Sequence, residues 1–225
     1  MQSEVSQYSE APSATKRERF PILPGGTVGI LGGGQLGRMF GIAARRMGYF
    51  VHAFEPQPAS PAGQISDVEI NASFEDVAAL GRFARGVDVL SFEFENIPAH
   101  ALELIQGAAP VRPPPQTLRV TQDRLAEKSL CKDLGIPTAS FAAVSSSDDC
   151  AGAIAATGLP AILKTRRLGY DGKGQRLVRS ASDLESAWMD LGAGDCILEG
   201  FVDFAHEISV VIARGPSGTV ATYDI

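Results

Sequence analysis

The sequence predicts an α/β protein built in two units, and three observations carry the prediction. Residues 27–55 read as strand, glycine turn, helix, strand and acid: TVGIL runs into Gly32-Gly33-Gly34-Gln35-Leu36-Gly37, an amphipathic segment follows, and YFVHAF ends at Glu55. Short apolar runs then alternate with helical patterns as far as about residue 119, as in a sheet with helices on its faces. After Pro137 the composition shifts to short strands interrupted by two helices, an α+β unit.

Composition narrows the function classes. The chain has 225 residues, 44% hydrophobic and 20% charged, ordinary for a globular protein. Its formal charge of −6 supplies no basic field for nucleic acid. Cys131, Cys150 and Cys196 are odd in number and far apart, which fits neither a disulfide framework nor a zinc site and suits a reducing cytosol. His52, His100 and His206 have no metal-ligand spacing, and no apolar run reaches the roughly 18 residues of a membrane span. Residues 1–25 are polar, lack the apolar centre of a signal peptide, and read as a disordered tail.

Thr27–Leu31 is a buried strand by length and β-branching. The complete G-x-G-x-x-G after it, the helix from Gln35 to about Met47 and the acid at Glu55 make a Rossmann-type dinucleotide fingerprint. It predicts a phosphate-bearing ligand at the helix N-terminus, which NAD, FAD or another phosphorylated molecule would satisfy. The alternative is a tight strand-to-helix turn and nothing more. Leu36, Met39, Phe40 and Ala43 form the helix's apolar face, and Gly48 ends it. A short strand at 69–72, a helix from Phe74 to Arg85 with Ser73 as N-cap, and a strand over 87–92 come next. That last strand exits into Glu93-Phe94-Glu95-Asn96. Ligands of open α/β sheets lie beyond strand carboxyl ends, so Glu93, Glu95 and Asn96 are placed to bind hydroxyls, amines or amides; a capped loop is the plainer reading. A helix over 99–106 and the prolines 113–115 lead to one long helix from about Thr117 to Leu134. Its apolar stripe is Leu118, Leu125, Ala126, Leu130 and Leu134. Arg124 and Lys128 share a face of it, most simply a solvated one.

In the second unit, strands are expected at 140–144, 161–164, 176–178, 196–199 and 207–213, with helices at 147–156 and 182–191 and Trp188 in the core. Ala161-Ile162-Leu163 delivers Lys164 to a strand end. The glycine loop Gly169–Gln175 follows, with Arg166, Arg167 and Lys173 close in sequence. Glycines let backbone N–H groups approach phosphate oxygens and lysine adds a compact charge; a D-G hairpin turn is the plain alternative. Glu199 can accept from an adenine amino group, the backbone after it can read a ring edge, and Glu207 suits a ribose diol, unless both are solvated edge acids. The sequence stops inside an apolar pattern and is expected to be a piece of a longer one.

Together ILGGGQLGRM (30–39), SFEFENIP (91–98), DRLAEK (123–128), LKTRRLGYDGKGQ (163–175) and ILEGFVDFAHEISV (197–210) resemble, in order and separation, the N5-carboxyaminoimidazole ribonucleotide synthases, ATP-grasp ligases of purine biosynthesis. The resemblance covers roughly residues 27–225. It implies a Rossmann-like domain at 26–119 and the first part of an ATP-grasp domain at 120–225. It implies ATP contacts at Arg124, Lys164, Gly169, Tyr170, Asp171, Gly172, Lys173, Gly174, Gln175, Glu199, Gly200, Phe201, Val202 and Glu207. Tyr170, Asp171 and Lys173 would face the carboxyphosphate. Gly34, Gln35, Leu36, Glu93, Glu95 and Asn96 would face 5-aminoimidazole ribonucleotide. The cofactors implied are ATP and Mg2+, whose ligands in the family lie beyond position 225, so no residue here is assigned to metal. The partners implied are small molecules, bicarbonate among them, in the cytoplasm, with no nucleic acid or membrane and with room for a homodimer.

Overall fold

A computed structural model of the chain describes residues 21–169 and 172–225. The expectations for residues 1–20, and for Tyr170 and Asp171, lie outside the described residues. The chain divides into two compact units, Met1–Glu127 and Lys128–Ile225.

In the first unit β1 (Thr27–Leu31), β2 (Phe50–Phe54), β3 (Val68–Ile70) and β4 (Val89–Phe92) form one parallel sheet in the order β3-β2-β1-β4. Parallel strands need crossovers, and helices supply two of them: α1 (Gln35–Arg46) joins β1 to β2, and α2 (Val77–Arg85) joins β3 to β4. The central strand β1 is buried on both faces, which is why TVGIL reads as a continuous apolar run. Successive side chains take opposite faces. Ile30 and Val51 pack with Ala44 of α1. Leu31, Phe54 and Leu90 pack with Leu80 and Phe83 of α2, Leu102 and Ile105 of α3 (Ala99–Ile105), and Leu118 of α4 (Pro115–Thr121).

The structure corrects four expectations here. The apolar face of α1 is not its packing face: Leu36, Met39 and Phe40 are exposed, and the buried positions are Gly37, Gly41 and Ala44. The helix lies too close to the 62–65 segment after β2 for large side chains; a Cβ on Gly41 would run into Ile65 and one on Gly37 would crowd Ala62. Helix α2 starts three residues later than expected, because the Asp76 side chain, not Ser73, caps it by accepting from the Ala79 N–H at 2.9 Å. The two flanking strands are also shorter than their apolar runs: β3 stops at Ile70 and β4 begins at Val89. The long helix at 117–134 is two, α4 and α5 (Arg124–Asp133). Buried Asp123 breaks it by turning its carboxylate onto the Leu125 N–H at 3.0 Å. Only Leu118 of the expected stripe is fully buried; Leu130 and Leu134 are exposed.

In the second unit β5 (Phe141–Val144), β6 (Ala161–Thr165), β7 (Gln175–Val178) and β8 (Cys196–Gly200) pair antiparallel in the order β5-β8-β6-β7. Helices α6 (Asp149–Thr157) and α7 (Ala181–Asp190) cover the sheet, with Ala153, Leu184 and Ala187 packed on Val144, Leu163 and Leu198. Trp188 packs against this core and donates its indole N–H to the Gly194 carbonyl at 2.8 Å. The strand expected at 207–213 is absent over most of its length. Only β9 (Ile212–Arg214) forms, pairing with β10 (Val220–Thr222), and residues 201–225 are exposed throughout. None of the helices of the described residues is long and apolar enough to cross a membrane.

Candidate functional site

In the first unit, chemistry gathers where β1 turns into α1. A helix N-terminus carries unsatisfied N–H groups and partial positive charge. Here the protein supplies the anion. The Glu93 carboxylate, just past β4, accepts from the Gly34 N–H through Oε1 and from the Gly37 N–H through Oε2, the latter at 2.6 Å. Glu55, just past β2, accepts from the Gly33 N–H at 2.9 Å. The glycines are what let the acids come this close: a Cβ on Gly34 would stand 2.6 Å from Glu93 Oε1, and one on Gly37 2.8 Å from Oε2. The fingerprint's phosphate position is thus held by carboxylates of the chain itself.

This changes the standing of the residues expected at the ribonucleotide. Gly34 and Glu93 are brought together by these bonds. Both Glu93 oxygens accept from backbone N–H groups, so Glu93 fixes the loop. Gln35 and Leu36, in the first turn of α1, are exposed; so is Glu95, and Asn96 is half-buried. Glu69 was not foreseen. It accepts from the backbone and hydroxyl of buried Ser60, at 3.0 and 2.8 Å, and so props the loop beside Gly33. Burial pulls the Glu69 carboxyl up, but these bonds outweigh it and hold the group below its ordinary range.

In the second unit, Lys164 on β6 faces Ile197 on β8 in the antiparallel register, which sets its ammonium near Glu199 two residues along. Lys164 Nζ donates to Glu199 Oε2 at 2.9 Å. Lys128, on α5, approaches the same oxygen at 3.4 Å. Lys128 was expected on a solvated face; its side chain is only 19% exposed, and that of Glu199 9%. Among the described residues this cluster sets two cations on one nearly buried anion.

The loop after Lys164 is a hairpin connection, as its D-G dipeptide allows, but a wide one. Lys164 pairs with Gln175, and the Thr165 N–H donates to the Gly174 carbonyl at 2.8 Å, closing the neck. Gly172 and Gly174 have φ of 76° and 72°, where a side chain is strained. Of the cations near this loop, Arg166 pairs with Asp195 at 3.7 Å. Gly200 and Phe201 N–H groups already donate to the Ser140 and Pro160 carbonyls at 2.8 and 3.1 Å, so the backbone expected to read a ring edge is partly engaged. Glu207 lies in the exposed irregular segment after β8, not on a strand beside Glu199. Arg124 opens α5 in the first unit. Among the described residues no group of three or more His, Cys, Asp or Glu side chains is placed to hold a metal ion.

Comparison with known proteins fits this geometry. Residues 26–122 match the ribonucleotide synthetase preATP-grasp domain and residues 129–225 the ATP-grasp domain. The N5-carboxyaminoimidazole ribonucleotide synthase of Brucella melitensis is 42% identical over 210 residues, which are 92% of this chain and 58% of that protein. The crystal structure of an ADP complex of an N5-carboxyaminoimidazole ribonucleotide synthetase superposes with a TM-score of 0.84 at 41% identity, over 90% of this chain and 54% of that one. That of the Aspergillus clavatus synthase with ADP and 5-aminoimidazole ribonucleotide does so with 0.78 at 28%, over 88% and 52%. The chain spans about half the length of the relatives it matches. With these two domains in this order, and with this identity across nine tenths of its length, the chain belongs to the N5-carboxyaminoimidazole ribonucleotide synthase family of ATP-grasp proteins.

Proposed function

We propose that the chain is the preATP-grasp and first ATP-grasp portion of a ligase that carboxylates 5-aminoimidazole ribonucleotide with bicarbonate at the expense of ATP. The observation that carries the reading is the Lys128–Glu199–Lys164 cluster, two cations on one nearly buried carboxylate among the described residues, beside a glycine-rich hairpin. Such a site calls for an anion, and family membership makes ATP the anion. Bicarbonate is a poor electrophile because hydroxide leaves badly. Attack of a bicarbonate oxygen on the γ-phosphorus releases ADP and gives carboxyphosphate. The ribonucleotide's amine then attacks the carboxyl carbon, inorganic phosphate leaves, and the nitrogen loses a proton. Such transfers need positioning and positive charge more than covalent help from the protein. Lys164 would grip the nucleotide phosphates. Lys173 and the glycines at 169, 172 and 174 would close over them, with Tyr170, Asp171 and Gln175 in the same loop. Glu199–Val202 would face the adenine, and Arg124 and Glu207 would complete the nucleotide contacts. Gln35, Leu36, Glu95 and Asn96 would meet the ribonucleotide beside the turn that Glu93 fixes.

The parallel order β3-β2-β1-β4 supports reading the first unit as Rossmann-like. The matches at 26–122 and 129–225 support a division into a tail at 1–25 and domains at 26–119 and 120–225. Mg2+ is the ion such chemistry employs. Among the described residues no group of three or more His, Cys, Asp or Glu side chains is placed to hold it. A cytoplasmic setting and a homodimer belong to the same proposal. An NAD-dependent oxidoreductase, the rival that the glycine fingerprint invites, is disfavoured by the carboxylates on the α1 N-terminus. The test is ADP release by the full-length protein with bicarbonate and 5-aminoimidazole ribonucleotide omitted in turn. Release that needs both supports the proposal. Release indifferent to both overturns it, and a requirement for another acceptor points to a different ATP-grasp carboxylase or transformylase.

A further inference from the structure

Glu199 Oε2 is shared by two ammonium groups from different elements: Lys164 on strand β6 at 2.9 Å and Lys128 on helix α5 at 3.4 Å. A single lysine is enough to neutralise a single carboxylate, so the second needs a reason. The nucleotide reading supplies one, and the inference rests on that reading. Lysine has three donors and no acceptor, and a phosphate competes with Glu199 for the Lys164 ammonium. If Lys164 were the carboxylate's only partner, turning to the phosphate would strand a nearly buried charge, and that penalty would be subtracted from binding. Lys128 removes it. We propose that Lys128 is a positioning residue for nucleotide binding: it keeps Glu199 charge-paired and in place while Lys164 moves to the phosphate.

The geometry suits the division of labour. Lys164 stands one residue before the neck of the glycine hairpin, where a phosphate would enter, and its side chain is the more exposed of the two. Lys128 comes from helix α5, at the longer distance, so it shares Glu199 without displacing Lys164.

The experiment is calorimetric titration of the full-length protein with ADP. Lys128→Met is expected to weaken ADP binding about tenfold or more, the size expected when a buried charge loses its partner. Lys128→Arg should restore binding to within about threefold of the parent by the same reasoning. The discriminating variant pair adds Glu199→Gln. A neutral amide has no charge to strand, so Lys128→Met in that background should cost less than about threefold. A merely structural lysine would cost the same in both backgrounds. Equal losses overturn the inference, as does a Lys128→Met protein that binds ADP within twofold of the parent. Should Lys128→Met alone fail to fold, as judged by circular dichroism, the comparison is made within the Glu199→Gln background. There a large loss on removing Lys128 overturns the inference and a small one supports it. A parent protein that binds no ADP sinks the nucleotide reading itself, a different result from a parent that binds and a Lys128 variant that does so equally well.

Discussion

Replacing Glu93 with alanine should destabilise the first unit by about 2–3 kcal/mol. The carboxylate accepts two backbone N–H groups of the α1 N-terminus, Gly34 and Gly37. Hydrogen bonds to a charged group contribute about 1.5–3 kcal/mol each, which would give about 3–6 for the pair. An anion at a helix N-terminus adds about 0.3–1 kcal/mol. Two effects reduce the sum. Glu93 is only half-buried, and water enters the vacated turn to satisfy both donors, recovering about half of the loss. Glu93→Gln is the sharper variant. It keeps the shape, but its amide nitrogen is a donor facing a donor, so the loss should be similar to that of alanine. The assay is urea unfolding followed by far-UV circular dichroism at constant m. Fluorescence of Trp188, the single tryptophan, follows the second unit separately. Emptying the turn should also recreate an anion site. Inorganic phosphate is expected to raise the unfolding midpoint of Glu93→Ala and leave the parent's unchanged. A Glu93→Ala protein within about 0.5 kcal/mol of the parent, the range of ordinary surface changes, would refute the reasoning.

Helix α1 gives a second pair of outcomes. Gly41→Val should cost about 2 kcal/mol by overpacking against Ile65, whereas Met39→Ser, on the exposed face, should stay within about 0.5 kcal/mol in the same unfolding assay. Lys164→Ala should abolish most ADP binding by the full-length protein with little change in melting temperature, because Glu199 keeps Lys128; loss of cooperative melting would make Lys164 structural. Acid unfolding should depend on Asp67 and Glu69. Burial raises both carboxyls, but the Val51 N–H and Arg45 on Asp67, and the Ser60 and Ala59 groups on Glu69, hold them below the ordinary range. Depressed folded values mean stability that is present above the unfolded carboxylate range near pH 4 and is lost as pH falls through the folded values. Asp67→Asn and Glu69→Gln should therefore lower the urea midpoint at pH 7 and flatten its decline below about pH 4, and slopes parallel to the parent's would count against the assignment.

The sequence announced what is local. β1, β2 and the strands flanking the glycine hairpin were legible because β-branched runs bounded by glycine and polar residues have few other uses. What it hid were contacts between distant positions. Glu93 meets Gly34 across 59 residues, and nothing in FEFEN says that its first acid belongs to the glycine turn. Helix α1 misled for a physical reason: hydrophobic periodicity finds the side of a helix with large side chains, and this one packs by its small side, where Gly37 and Gly41 allow close approach. The break at Asp123 was available in principle, since an aspartate ahead of Arg124-Leu125-Ala126 is a capping signal, but the apolar stripe running through it hid the break. Lys128 looked solvated because charges on helices usually are. Only its distance to Glu199, 71 positions away in the sequence, says otherwise. The step from a phosphate-bearing ligand to a named chemistry came from the family motifs; the residues alone did not reach that far.

The two glycine-rich turns differ in charge, and that difference separates their roles more firmly than their sequences do. Both have the glycines that phosphate cradles use. Around the α1 turn the chain provides Glu93 and Glu55 as acceptors, so the N–H groups are satisfied and the local positive potential is cancelled. An incoming phosphate would have to displace a bonded carboxylate and bear its repulsion. Beside the β6–β7 hairpin, Lys164 and Lys128 share the carboxylate of Glu199. A phosphate there would meet two lysines in a site of reduced solvent access, where Coulomb attraction is screened least. The proposed nucleotide site at the second turn therefore predicts that an anionic ligand prefers it to the first, although the first carries the more familiar motif. The same argument orders the perturbations: Glu93→Ala should open the first turn to phosphate, and Lys164→Ala should close the second to nucleotide.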